Sequence, residues 1–165
     1  MKSLLLIRHA KSDWADASLK DFDRPLNDRG KRDAPVMAHR LLDKKVKIDA
    51  FISSPAKRAK KTAELFASQY KQDKKDILLF DQLYLADTEA FFDVISQTDD
   101  DYSTIAVFSH NEGITNFANQ LSDVRVDDMP TCSIFAVKME LKKWKDFREV
   151  EKEFWFFDYP KSNQL

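Results

Sequence analysis

Apolar and polar positions along the chain follow two periods that alternate with one another. Short apolar segments at residues 3–7, 50–53, 77–80 and 104–109 predict strands. The first and fourth, built on Leu4-Leu5-Leu6-Ile7 and Ile105-Ala106-Val107-Phe108, are unbroken runs, as expected of strands covered on both faces. Between them the apolar spacing changes to that of helices. Ala34, Met37, Ala38, Leu41 and Leu42 form one stripe, and Ala59, Thr62, Ala63, Phe66 and Tyr70 a second. Ile114, Phe117, Ala118 and Leu121 form a third, and Phe91, Phe92 and Ile95 mark a shorter helix opened by Thr88.

Two local features refine these elements. Asn27 is placed to cap a helix from Asp28, but Pro35 lies within it, so the helix either kinks there or becomes regular only near Asp33. Near the end of the chain, apolar runs at 133–139 and 150–157 flank a charged stretch and predict an antiparallel pair at the sheet edge. Alternating strands and helices followed by a hairpin imply an α/β fold, a three-layer α/β/α sandwich with a mostly parallel sheet. No repeat, linker or low-complexity stretch divides the chain, and residues 1–165 read as a single domain.

Composition narrows the function classes. With 43% hydrophobic and 33% charged residues the chain is outside the disordered class. Lys and Arg number 27 against 28 acids, so no overall basic field draws in nucleic acid. The lone Cys132 cannot form an internal disulfide and suits a reducing compartment. The apolar run before Arg8 is too short for a signal-peptide core or a membrane span. A cytoplasmic, soluble protein is expected, with its oligomeric state left open. Gly30 and Gly113 are the only glycines, so the Gly-rich phosphate loops of common nucleotide sites cannot be built.

Open α/β sheets carry their sites at the carboxyl ends of the strands. The first strand runs into Arg8-His9-Ala10-Lys11-Ser12. The second ends in Ser53-Ser54-Pro55, with Arg58 in the first turn of the next helix. The fourth runs into His110-Asn111-Glu112-Gly113. Two histidines and two arginines are thus expected at one edge of one sheet. That set suits phosphoryl transfer, in which catalysis is largely positioning plus cationic stabilisation of three equatorial oxygens. Arginine presents a planar, permanently charged fork to phosphate. A histidine that donates from one ring nitrogen offers the other as a nucleophile. No cluster with metal-ligand spacing is present, and no cofactor or metal is expected.

Arg8-His9-Ala10, the element Ser53-Ser54-Pro55-x-x-Arg58-Ala59-x-x-Thr62-Ala63 and Ser109-His110-Asn111 resemble the histidine phosphatase (phosphoglycerate mutase-like) superfamily. The short chain and Arg24-Pro25-Leu26-Asn27-x-x-Gly30 resemble its SixA-like phosphohistidine phosphatase branch, over about residues 1–139. The resemblance implies His9 as the nucleophile that becomes phosphohistidine, with Arg8, Arg58 and His110 completing the phosphate pocket. It implies Arg24, Ser12 and Asn111 as further phosphate contacts. Larger members of the superfamily carry a glutamate general acid in an insertion between the second arginine and the second histidine. Here that interval is short, and Glu89 is the candidate within it.

An alkoxide leaving group needs a proton from a positioned acid, whereas an imidazole is far less basic. A site without a dedicated acid therefore favours phosphate carried on nitrogen. The expected activity is a metal-independent phosphatase acting on a phosphoprotein's phosphohistidine or on a small phosphorylated substrate. A sugar-phosphate or general phosphomonoesterase of the same fold remains open, as does a non-catalytic phosphate-binding module. A cysteine phosphatase is excluded because the residue six beyond Cys132 is Lys138, where arginine is required. Asp21-Phe22-Asp23 has the spacing of a metal-dependent aspartate phosphatase, but no hydrophobic strand leads into it. Ser12 and Arg24 also admit plain structural readings, as a turn cap and as an ion-pair partner of Asp21 or Asp23. His39 falls on the polar side of its helix.

Overall fold

A computed structural model describes residues 1–162. Its strands are β1 (Lys2–Arg8), β2 (Ala50–Ser53), β3 (Leu78–Leu79), β4 (Thr104–Ser109), β5 (Ile134–Met139) and β6 (Glu153–Asp158). The helices are α1 (Asp28–Asp43), α2 (Lys57–Gln69), α3 (Thr88–Ser96) and α4 (Gly113–Leu121). One six-stranded sheet is ordered β3-β2-β4-β1-β5-β6. β1 and β2 each pair in parallel with β4, and β3 pairs in parallel with β2. β5 runs antiparallel to β1, and β6 antiparallel to β5, which closes that edge with the expected hairpin.

Burial along β1 shows why the sheet lies in the middle layer. Leu5 and Ile7 face a core with Ala34, Met37 and Leu41 of α1 and Ala63 and Phe66 of α2. Leu4 and Leu6 face the other core, with Phe91 and Ile95 of α3 and Ile114, Phe117 and Leu121 of α4. The unbroken apolar run Leu4 to Ile7 at the centre of the strand is what two helical layers require. Burying Ile114, Phe117 and Leu121, all 5% exposed or less, contributes about 1.5–3 kcal/mol each.

Chain order then fixes the location of the site. The chain steps from β1 outward to β2 and β3, then returns to insert β4 between β2 and β1. Helices of the outward course cover one face and those of the return cover the other. The loops after β1 and β2 therefore part from the loop after β4, and a crevice opens at the carboxyl ends of these three neighbouring strands.

Some expectations need adjustment. The third strand, expected over 77–80, is only Leu78–Leu79, with both side chains about 40% exposed. Its one sheet neighbour is β2, and Ile77 alone of the apolar run is buried there. α1 is helical from Asp28 onward, with Pro35 inside it and the Asn27 side chain accepting from Gly30 N–H at 2.9 Å. The regular helix thus does not wait for Asp33. In α3, Asp87 is the cap, accepting from Ala90 N–H, and Thr88 is the first helical residue. Among the described residues, no helix is long and apolar enough to cross a membrane.

Candidate active site

His9 follows β1 directly, and its backbone is fixed on two sides. Its N–H donates to Ser109 O of β4 at 3.1 Å, and its carbonyl accepts from Cys132 N–H at 3.0 Å. Ala10 N–H donates to Thr62 Oγ1 at 3.0 Å, and the Thr62 hydroxyl donates to Arg58 O at 2.7 Å. One threonine of α2 thus ties the residue after His9 to the turn that carries Arg58.

The His9 ring is 6% exposed and its tautomer follows from its partners. Nδ1 lies 2.7 Å from Ala10 O, which can only accept, so Nδ1 carries the proton. Nε2 lies 3.4 Å from Arg58 Nε, whose N–H can only donate, so Nε2 presents its lone pair. Burial holds the His9 pKa well below its usual value, partly offset by the Ala10 bond and reinforced by the charges around it. Near neutral pH the ring is uncharged.

His110 stands beside it, with ring centroids 5.2 Å apart. Its Nε2 is 2.8 Å from Ser54 Oγ, and its Nδ1 is buried without a hydrogen-bond partner among the described residues. Burial, followed by the Arg58 charge, depresses its pKa to about 3. Arg8 donates from Nη1 to Met129 O at 2.7 Å and lies 3.8 Å from the Asp128 carboxylate.

Asp21 organises the remaining charges. It sits in a one-turn helix, Asp21–Asp23, on the loop between β1 and α1. Arg58 donates to its carbonyl at 2.6 Å and to its carboxylate at 3.0 Å. Arg24 Nη2 donates to the same carboxylate at 3.0 Å, and Tyr84 Oη–H does so at 2.7 Å. Partial burial pushes the Asp21 carboxyl up, but the bonds from Tyr84, Arg24 and Arg58 outweigh this and hold it well below the usual carboxylate range. Arg24 also donates to Ser12 Oγ and stacks 3.4 Å from the centre of the Trp14 ring.

His9, Arg8, Arg58, His110, Arg24 and Ser12 therefore lie in one connected group of hydrogen bonds and charges. Asn111 is next to His110, and its amide donates to Asp128 while accepting from Thr115. Glu89 is held elsewhere, its carboxylate engaged by both terminal nitrogens of Arg148. His39 pairs with Asp43 on the exposed side of α1. In the sequence Asp21 stands out only as a partner for Arg24 or as a metal-dependent nucleophile, and Ser54, Thr62 and Tyr84 carry no role of their own. The Ser54-x3-Arg58-x3-Thr62 spacing could have indicated two of these, since it puts all three on one side of the turn into α2. Among the described residues, no group of three or more His, Cys, Asp or Glu is placed to hold a metal ion.

Both glycines serve this arrangement. A β-carbon at Gly30 would lie 2.2 Å from Lys11 O, and one at Gly113 would lie 2.1 Å from Ala86 O. Gly30 thus lets α1 close onto the segment after His9, where Lys11 O accepts from Asn27 N–H and Pro25 O accepts from Asp13 N–H. Those bonds bring Ser12 against Leu26 and so beside Arg24.

Chemically, the group offers a neutral imidazole that presents a lone pair, a second neutral imidazole and three guanidinium groups. Comparison with known proteins agrees with that reading. Residues 4–79 match the model of the histidine phosphatase superfamily, branch 1. An uncharacterised chloroplastic protein of Arabidopsis thaliana is 29% identical over 153 residues, 88% of this chain and 70% of that one. SixA of Agrobacterium tumefaciens superposes with a TM-score of 0.81 at 23% identity, covering 96% of this chain and 98% of that one. The protein histidine phosphatase SixA in complex with tungstate gives 0.80 at 20% identity, over 96% and 97% of the two chains. By the matched segment the chain is similar to the histidine phosphatase superfamily, and its fold is the one seen in the SixA structures.

Proposed function

We propose that the chain is a phosphohistidine phosphatase working through a phosphorylated His9. The observation that carries this reading is the His9 ring, with its proton held on Nδ1 by Ala10 O and its Nε2 lone pair facing Arg58. In the first step a bond forms from Nε2 to phosphorus while the bond to the leaving group breaks, and the leaving nitrogen takes up a proton from solvent water. Water then attacks the phosphorus, phosphate departs, and Nε2 recovers its lone pair. Arg8, Arg58 and Arg24 stabilise the equatorial oxygens, and His110 hydrogen-bonds to the transferring group.

Leaving-group chemistry supports phosphate on nitrogen. Asp21, the carboxylate bound to the pocket arginines, is held ionised by its three donors and has no proton to give near neutral pH. Glu89 is occupied by Arg148. An imidazole leaving group tolerates this lack better than an alkoxide does. The solved structure bound to tungstate is that of a protein histidine phosphatase, which agrees with a phosphoprotein substrate. The test compares kcat/KM for a phosphohistidine protein, an aryl phosphate and alkyl sugar phosphates. Phosphohistidine is expected to be fastest and alkyl phosphates slowest. A sugar phosphate in first place would overturn the assignment in favour of a general phosphomonoesterase.

A further inference from the structure

Beside the pocket lies a surface recess of about 420 Å³ that the chemistry above does not use. Lys31 of α1 and Lys57, Lys60 and Lys61 of α2 line it, opposed by one carboxylate, Glu64. All four lysines are exposed, and among the described residues none makes an ion pair. This local excess of positive charge stands on a chain whose net charge is −1. Three of the lysines also lie within the first five residues of α2, next to the positive end of the helix dipole. That turn has no acidic residue and no side-chain cap. Helix stability would favour Asp or Glu there, so the lysines oppose local preference.

The recess adjoins the reactive group through the chain itself. Lys57 precedes Arg58, and Pro25, another lining residue, follows Arg24. We propose that this recess docks an acidic segment of the substrate phosphoprotein while the phosphorylated residue occupies the pocket; this rests on the phosphoprotein reading above. Lysines are compact, hydrated charges on long stems and suit several mobile carboxylates, whereas the arginines next door suit one phosphoryl group. Nucleic acid fits less well, because the lining offers no aromatic side chain for base stacking and Glu64 opposes a phosphate backbone.

Two synthetic phosphohistidine peptides, differing only in four flanking residues that are Glu in one and Gln in the other, test the proposal. At low salt the Glu peptide should have a kcat/KM about tenfold higher, and the ratio should fall towards one in high salt. The triple variant K31Q/K60Q/K61Q should abolish the difference while hydrolysing an aryl phosphate at the wild-type rate. Equal rates for both peptides in the wild-type protein would overturn the docking site. If neither peptide is hydrolysed but the aryl phosphate is, the substrate assignment fails on its own. Titration with the unphosphorylated Glu peptide then decides the recess: binding lost in the triple variant supports it, and no binding overturns it. A single-stranded RNA of matched charge that binds tighter than the Glu peptide would also overturn it.

Discussion

Arg58 reaches His9 and Asp21 with different nitrogens of one guanidinium: Nε lies 3.4 Å from His9 Nε2, while Nη1 and Nη2 hold Asp21. The fork is therefore aimed before any substrate arrives, and its Nε–H points at the atom expected to attack phosphorus. Arg58→Ala should lower kcat by roughly 10³, and His9→Ala should lower it at least as far. Arg58→Lys should recover only part, because an ammonium cannot reproduce a planar fork. Steady-state kinetics on an aryl phosphate checks this. A change confined to KM would show that Arg58 binds substrate and transition state equally.

Asp21 holds Arg24 and Arg58, each at 3.0 Å, and in the proposed mechanism it would compete with phosphate for them while also positioning them. Asp21→Asn removes the charge and weakens the charge-assisted bonds that hold both arginines. Inorganic phosphate should then inhibit more tightly, by about threefold or more, while kcat falls because Arg58 is less well placed. Weaker phosphate inhibition would show instead that Asp21 acts only by holding the arginines in place.

Both buried histidines have depressed pKa values, His110 to about 3, so the unfolded chain binds protons that the folded chain does not. Their contribution to stability is complete above about pH 6.5 and is lost as pH falls towards the folded values. At pH 5 the loss should approach about 2 kcal/mol for His110, with His9 acting in the same direction. Urea denaturation between pH 7 and 5 should show this slope. His110→Gln should flatten it, whereas substituting the exposed His39 should not. An unchanged slope in His110→Gln would mean that the ring is protonated in the folded state.

Gly30→Ala puts a methyl group 2.2 Å from a backbone carbonyl, so Lys11 and α1 must separate. Overpacking of this kind costs about 1–3 kcal/mol. Urea denaturation should show that loss. Turnover should fall as well at pH 7, because the displaced segment connects His9 to Ser12. Full activity in a destabilised variant would separate the glycine's packing role from the site.

Much of the pocket was legible because strand ends are. The apolar runs before Arg8 and His110 fix where β1 and β4 stop, and adjacent parallel strands bring those stops together. Arg58 followed from the same logic, one turn into the helix after β2. Asp21 was not legible as the bridge between two arginines, because its neighbours Arg58 and Tyr84 are 37 and 63 positions away. The third strand was overestimated because the run Ile77-Leu78-Leu79-Phe80 reads like a core strand, and periodicity carries no information about a missing neighbour. Glu89 lay in the right interval, but its ion pair with Arg148, 59 positions away, has no local signal.

β1 lies between β4 and β5 and faces both cores, so its amides are released only when the whole sheet opens. His9 inherits that protection through its bonds to Ser109 and Cys132. The loop bearing Asp21 has no such enclosure: Trp14 and Phe22 on it are 70% and 38% exposed. Amide exchange should therefore separate the two halves of the pocket, with Leu4 to His9 exchanging at the global unfolding rate and residues 13–23 far sooner. His9, the proposed nucleophile, is a fixed post, and adaptation to the bulk of an incoming partner falls to the opposite wall.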